Sequence, residues 1–171
     1  QTLTWHFLAP MVHDFTWAAD RNYTHDIVKG PNRVDLHFLY KNDQKIAENW
    51  KKLEPLMVRV MDFYNQKIGD YPYKQYSFIQ GGDGGMEYPM ATLLKDAGTG
   101  VVIHEWMHSW YQMMLGTNES LYPWMDEGFT SFAESNVNNF LHDGKDSFPH
   151  LGAYNAYIAL SKSDFNEPLT T

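Results

Sequence analysis

The chain predicts an α+β fold, and three features carry that reading. Residues 33–40, "RVDLHFLY", alternate Val34, Leu36 and Phe38 with polar neighbours, the period of a strand with one buried face. Residues 42–68 place Ile46, Trp50, Leu53, Met57, Val60, Met61 and Tyr64 at helical spacing. Two further long helical patterns lie beyond residue 99, so strands dominate the first half and helices the second. The length of 171 residues and the 43% hydrophobic content suit one domain with a real core.

Taken in order, "LTWHFLAP" and "HDFTWAAD" within residues 1–20 mix aromatic and β-branched residues with turn formers, which predicts β structure. "YTHDIV" and "RVDLHFLY" predict two strands separated by the turn-forming "KGPN". The helix over 42–68 contains Pro55, which predicts a new helix start or a kink there. "KQYSFIQ" resumes a strand, and "GGDGGMEYP" (81–89) is a glycine-rich turn running into a short extended piece. That turn fits neither GxxxxGK[ST] nor GxGxxG, so it is not read as a phosphate loop. Residues 99–116 predict one helix with Gly116 as its stop. "MDEGFTSFAESNVNNFLHDG" predicts another, ending near Gly144, and "AYNAYIALS" is partly helical.

Composition narrows the chemistry. There is no cysteine, which excludes disulfides, thiolate metal sites and a cysteine nucleophile. Thirteen basic residues against 21 acidic leave a formal charge of -8 and no basic stripe, so nucleic acid is not the expected partner. The acidic balance fits ordinary solubilising charge, and equally a preference for cationic ligands such as a peptide amine. No stretch approaches the roughly 18 uncharged apolar residues a membrane span needs, and the start has no basic-then-apolar leader. The compartment is not written in these residues.

The chemistry concentrates in "HEWMH", residues 104–108. Histidines four apart on a helix lie about 40° apart around its axis, so His104 and His108 project from one face and suit a single zinc ion. Glu105 lies about 100° round from His104, off the ligand face but within reach of water beside the metal, as a general base must be. The bland alternative is a pair of ordinary histidines on an amphipathic helix. Zinc wants a third protein ligand, and the carboxylates downstream are Glu119, Asp126 and Glu127. Glu127 opens the next helix after a loop long enough to reverse direction, so an antiparallel pair would carry it back over the histidines. Asp126 is then expected to point elsewhere on that helix. His6, His13, His25, His37, His142 and His150 have no ligand spacing.

"HEWMH", eighteen residues and then Glu127 within "WMDEGF" resembles the zinc signature of the M1 aminopeptidases, a gluzincin family. "GGMEYP" resembles that family's glycine-x-methionine-glutamate-asparagine exopeptidase motif, with Tyr88 where asparagine is usual. The resemblance implies a thermolysin-like catalytic domain over residues 21–171, preceded in residues 1–20 by the tail of a β domain. It implies one zinc ion per chain held by His104, His108 and Glu127, with Glu105 as general base. Glu87 would bind the free α-amine of a peptide substrate, and Gly84, Gly85 and Met86 would present backbone to it. Glu134, two turns beyond Glu127, would orient a zinc-bound histidine or stand as a solvated surface glutamate.

Two rival functions stay in view: a gluzincin endopeptidase, against which Glu87 argues, and a zinc-bound but inactive binding or scaffolding domain, against which Glu105 argues. The family's oxyanion-stabilising tyrosine is expected further downstream than the residues that follow Glu127 here. Tyr154 and Tyr157 come too early for it, so the isolated chain is expected to hydrolyse peptides poorly or not at all. A chain lacking the family's later helices is expected to expose apolar surface and to invite self-association.

Overall fold

The computed structural model describes residues 2–169. Five strands form one sheet: β1 (Tyr23–Lys29), β2 (Asp35–Lys41), β3 (Gln75–Gln80), β4 (Met86–Tyr88) and β5 (Ala91–Leu94), in the order β1-β2-β3-β5-β4. β1 runs antiparallel to β2, with Ile27 opposite His37. β2 and β3, and then β3 and β5, are parallel. The parallel β2–β3 pair needs a crossover, and α1 (Gln44–Lys67) supplies it. β4 pairs antiparallel on the free side of β5, so "GGMEYP" ends as the edge of the sheet. Helices α2 (Thr99–Met107), α3 (Pro123–Leu141) and α4 (Leu151–Leu160) follow.

The alternation in residues 33–40 does what its period implies. Leu36, Phe38 and Tyr40 are fully buried while their neighbours are only partly so. That face of the sheet meets the apolar stripe of α1, where Trp50, Leu53, Met57, Val60, Met61 and Tyr64 are buried. α2 enters the same core through Val102, Ile103, Trp106 and Met107. Aromatic rings fill much of the space: Phe38 stacks on Phe78 at 4.9 Å, and Trp106 meets Phe78 edge-on at 5.0 Å. The Tyr64 hydroxyl donates to the Ile103 carbonyl at 3.0 Å, which ties α1 to the backbone one residue before His104.

Three sequence expectations are corrected. Residues 2–20 contain no strand among the described residues, although Phe7, Phe15 and Trp17 lie near Leu39, Ile79 and Ala91 of the sheet. A strand exists only through its ladder, and this segment's apolar residues find a surface without finding a pairing edge. Pro55 neither starts a new helix nor ends one: α1 is continuous across it. Its ring removes the donor that would reach the Lys51 carbonyl, and Lys51 lies on the exposed side where water can serve instead. Residues 99–116 are not one α-helix. α2 ends at Met107, and Ser109–Met114 form a wider π-type turn in which Tyr111 and Gln112 leave helical geometry. Gly116 does close the segment, at φ +67.

No helix of the described residues is long and apolar enough to cross a membrane. α4 buries none of its residues, leaving Leu151, Tyr154, Tyr157 and Leu160 exposed.

Candidate metal centre

α2 is anchored by its apolar face, so the residues between the anchors turn the other way. His104 is partly buried, while Glu105 and His108 are buried, facing α3 and the β4 edge. α3 begins at Pro123, whose fixed φ suits a first helical turn, and it carries Asp126, Glu127, Thr130 and Glu134 against α2. The pairings run in opposite chain directions, His108 meeting Asp126 and Thr130 while His104 meets Glu134.

Each histidine is gripped on its Nδ1 side. His104 Nδ1 donates to Glu134 Oε2 at 3.2 Å, and His108 Nδ1 donates to Asp126 Oδ1 at 2.7 Å. Both Nε2 atoms are thereby turned toward each other, 3.3 Å apart. Glu127 Oε2 completes the group, 3.0 Å from His104 Nε2 and 3.9 Å from His108 Nε2. When each imidazole is neutral with its proton on Nδ1, two lone-pair nitrogens face one carboxylate oxygen, an arrangement that a cation, or a proton on His104 Nε2, relieves. Two nitrogens on a tetrahedral zinc, each at about 2.0–2.1 Å, stand about 3.3 Å apart. The donor set therefore fits zinc in both chemistry and spacing.

The same carboxylates set the charge of the site. The Glu134 hydrogen bond, opposed by burial and reinforced by the charges of Glu105 and Glu127, pushes His104 up to about 9. Burial disfavours the charged form of His108, yet the Asp126 hydrogen bond and charge outweigh it and hold this histidine above its ordinary value. A field that holds protons on both imidazoles is also one that attracts a metal cation. Burial first, and then the neighbouring Glu87 charge, push Glu105 up to about 7 against the pull of the two histidines. Glu105 can thus exchange a proton near neutrality, the range a general base needs.

The remaining expected residues sit along the β4 edge. A Glu87 carboxylate oxygen lies within 4.8 Å of ligand atoms of His108, Asp126 and Glu127. Gly85 is pressed against the site: a Cβ there would stand 2.4 Å from Glu105 Oε1 and 2.7 Å from Val101 Cγ1. Gly84 has open space around it. Met86 is partly exposed, and its carbonyl accepts from Thr92 Oγ1 at 3.1 Å. Tyr88 pairs with Ala91 at the end of β4.

Asp126 corrects the sequence reading. It does not point away from the histidines but is buried against His108, as is Thr130, whose hydroxyl lies 3.4 Å from Nδ1. Glu127 and Asp126 diverge by one helical step, and an imidazole is long enough to face one with Nε2 and the other with Nδ1. The available signal was the adjacent acid pair itself, at the start of a helix that must cross the histidines.

Neither a protein-family model nor a curated protein sequence matches this chain. Solved structures do. The M1 zinc metallopeptidase of Deinococcus radiodurans superposes with a TM-score of 0.64 at 20% identity, over 89% of this chain and 35% of its own. The fold is that of the M1 zinc metallopeptidases. Leukotriene A4 hydrolase from Saccharomyces cerevisiae gives a TM-score of 0.59 at 20% identity, over 86% of this chain and 24% of its own. A form of the Deinococcus enzyme bound to a Tyr-Ser-Ala substrate matches with 0.59 at 18% identity, over 87% and 35%. The chain spans about a third or less of the length of these M1-fold proteins.

Proposed function

We propose that this protein is a zinc-dependent aminopeptidase, acting on peptides with a free N-terminus as part of an M1-type catalytic domain. The observation that carries the reading is the pair of Nε2 atoms 3.3 Å apart, each histidine held through Nδ1 by a carboxylate and both facing Glu127. His104, His108 and Glu127 would hold one zinc ion. Bound there, zinc supplies a Lewis acid for the scissile carbonyl and makes nearby water more acidic. Glu105 takes the proton from the attacking water at its carboxylate and passes it to the leaving amine. Its position off the ligand face and its value of about 7 suit both halves of that exchange.

Glu87 supports the aminopeptidase form of this reading over an endopeptidase. Its carboxylate stands at the sheet edge beside the ligand cluster, where it would pair with a peptide's α-ammonium. A fixed carboxylate of that kind limits how far the chain can enter, so that the first peptide bond meets the water. Gly84, Gly85 and Met86 would lay backbone along the same edge, as an extended peptide requires.

The test measures zinc stoichiometry and turnover together. The full-length zinc-loaded protein is expected to bind one ion per chain and to hydrolyse a free-amine aminoacyl substrate but not its N-acetylated form. His108→Ala should lose stoichiometric zinc at micromolar chelator. Zinc binding without turnover of either substrate would favour a binding or scaffolding domain, and equal turnover of both would favour an endopeptidase.

A further inference from the structure

Three buried polar atoms on three different segments lack a hydrogen-bond partner among the described residues and share one neighbourhood behind the metal centre. They are the Tyr76 hydroxyl on β3, Glu105 Oε2 on α2 and Ser109 Oγ just past the end of α2. Tyr76 and Ser109 are fully closed to solvent, and Glu105 is 8% exposed. Buried polar groups left alone each cost free energy, so a cluster of them marks a network rather than an accident.

The geometry brings the three together. Ser109 follows Glu105 by four residues, one turn along the same face. The Tyr76 ring is wedged against Trp106 at 5.3 Å, Phe78 at 4.9 Å and Tyr71 at 6.0 Å, so its hydroxyl has no freedom to swing toward solvent. Burial pushes the Tyr76 phenol well above its ordinary value, the Glu105 charge adds to this, and the Ser109 side chain acts in the opposite direction. The two Glu105 oxygens are also distinct. Oε1 faces the backbone of Gly85 on the substrate edge, whereas Oε2 is the buried, inward one.

We infer that Tyr76 and Ser109 are positioning residues for Glu105: the two hydroxyls hold Oε2 inward through one shared buried hydrogen-bond network, closed by a bridging water, and Oε1 is left free to work on water. This rests on the role proposed above for Glu105. A carboxylate held by one oxygen keeps its plane, and the working oxygen keeps its aim. The absence of a Cβ at Gly85 leaves the space that Oε1 occupies: a Cβ there would stand 2.4 Å from it.

The zinc-loaded full-length protein is compared with its Tyr76→Phe, Ser109→Ala, Ser109→Thr and double Tyr76→Phe/Ser109→Ala variants. Each hydroxyl deletion should lower kcat by about ten- to a hundred-fold, as loss of an orienting partner does. KM and zinc content should stay as in the parent. Ser109→Thr, which keeps the hydroxyl, should recover most of the rate. The double variant should be little worse than either single one, because both break the same chain of contacts. A purely structural tyrosine predicts the reverse: Tyr76→Phe would raise Tm by removing an unpartnered hydroxyl and leave kcat alone, and that outcome overturns the inference. If the parent itself shows no turnover, the proposed function fails, and the anchor is judged from crystal structures instead. Those should show a buried water joining Oε2 to the Ser109 and Tyr76 hydroxyls, and a reoriented Glu105 carboxyl in Ser109→Ala. An unchanged carboxyl in that variant overturns the anchor by itself.

Discussion

His108 donates its Nδ1 proton to Asp126 at 2.7 Å with both side chains almost closed to solvent, at 1% and 4% exposure. A hydrogen bond so enclosed fixes the tautomer and the plane of the imidazole, and so decides which nitrogen is offered to a metal.

Removing that partner should therefore be felt at the metal. Asp126→Ala is expected to weaken zinc binding by about ten- to a hundred-fold while His104, His108 and Glu127 remain in place. Competition with a calibrated chelator measures it. Parent-like affinity in the variant would mean that His108 is held by packing alone.

Glu105 separates chemistry from binding. Glu105→Gln keeps the shape and removes the base, so zinc content should be unchanged while kcat falls by about a hundred- to ten-thousand-fold. Metal analysis alongside initial rates checks both halves. Loss of zinc would place Glu105 among the ligands instead.

Glu87 governs the preference for a free amine. Glu87→Ala should slow cleavage of free-amine substrates and narrow their advantage over N-acetylated ones, with little change toward the blocked peptides. The readout is the ratio of kcat/KM for the two substrate forms; a ratio identical to the parent's would remove Glu87 from amine recognition.

Away from the metal, Glu54 on α1 predicts a pH-dependent stability. Burial first, and then the Asp26 charge, raise Glu54 above its ordinary value of 4.5. The Tyr40 hydroxyl donates to Asp26 at 2.5 Å, which keeps that carboxylate close by. A carboxyl whose folded value is raised favours the protonated state in the fold. Its stabilising contribution is complete below 4.5 and is lost as pH rises through the raised value. Glu54→Gln should accordingly raise Tm at neutral pH, with the gain shrinking as pH falls toward 4.5. Thermal melts across that range test it; a constant difference at every pH would mean that no proton is involved.

Local order in this chain was legible without the structure. The alternation through Leu36 and Phe38 and the helical run from Ile46 to Tyr64 name their own buried faces, because a strand repeats every two residues and a helix every 3.6. The spacing of His104 and His108 likewise puts two imidazoles on one side of a helix, wherever that helix goes. Periodicity is a property of neighbours along the chain, so the chain suffices to read it.

What depends on segments distant in sequence needed the tertiary structure. Asp126 and Glu127 are adjacent in sequence, yet only the packing of α3 on α2 decides that one faces Nδ1 of His108 and the other Nε2. The π-type turn at Ser109–Met114 interrupts a pattern that reads as continuous helix, since propensity is weak beside the packing of Trp110 against Tyr64 and Tyr71. Residues 2–20 carry strand-like residues but pair with no strand, because pairing is a relation to an edge that composition does not contain. The inward oxygen of Glu105, facing groups from β3 and from beyond α2, belongs to the same class: three residues scattered over Tyr76–Ser109 become neighbours only once the sheet and the helix close on one core.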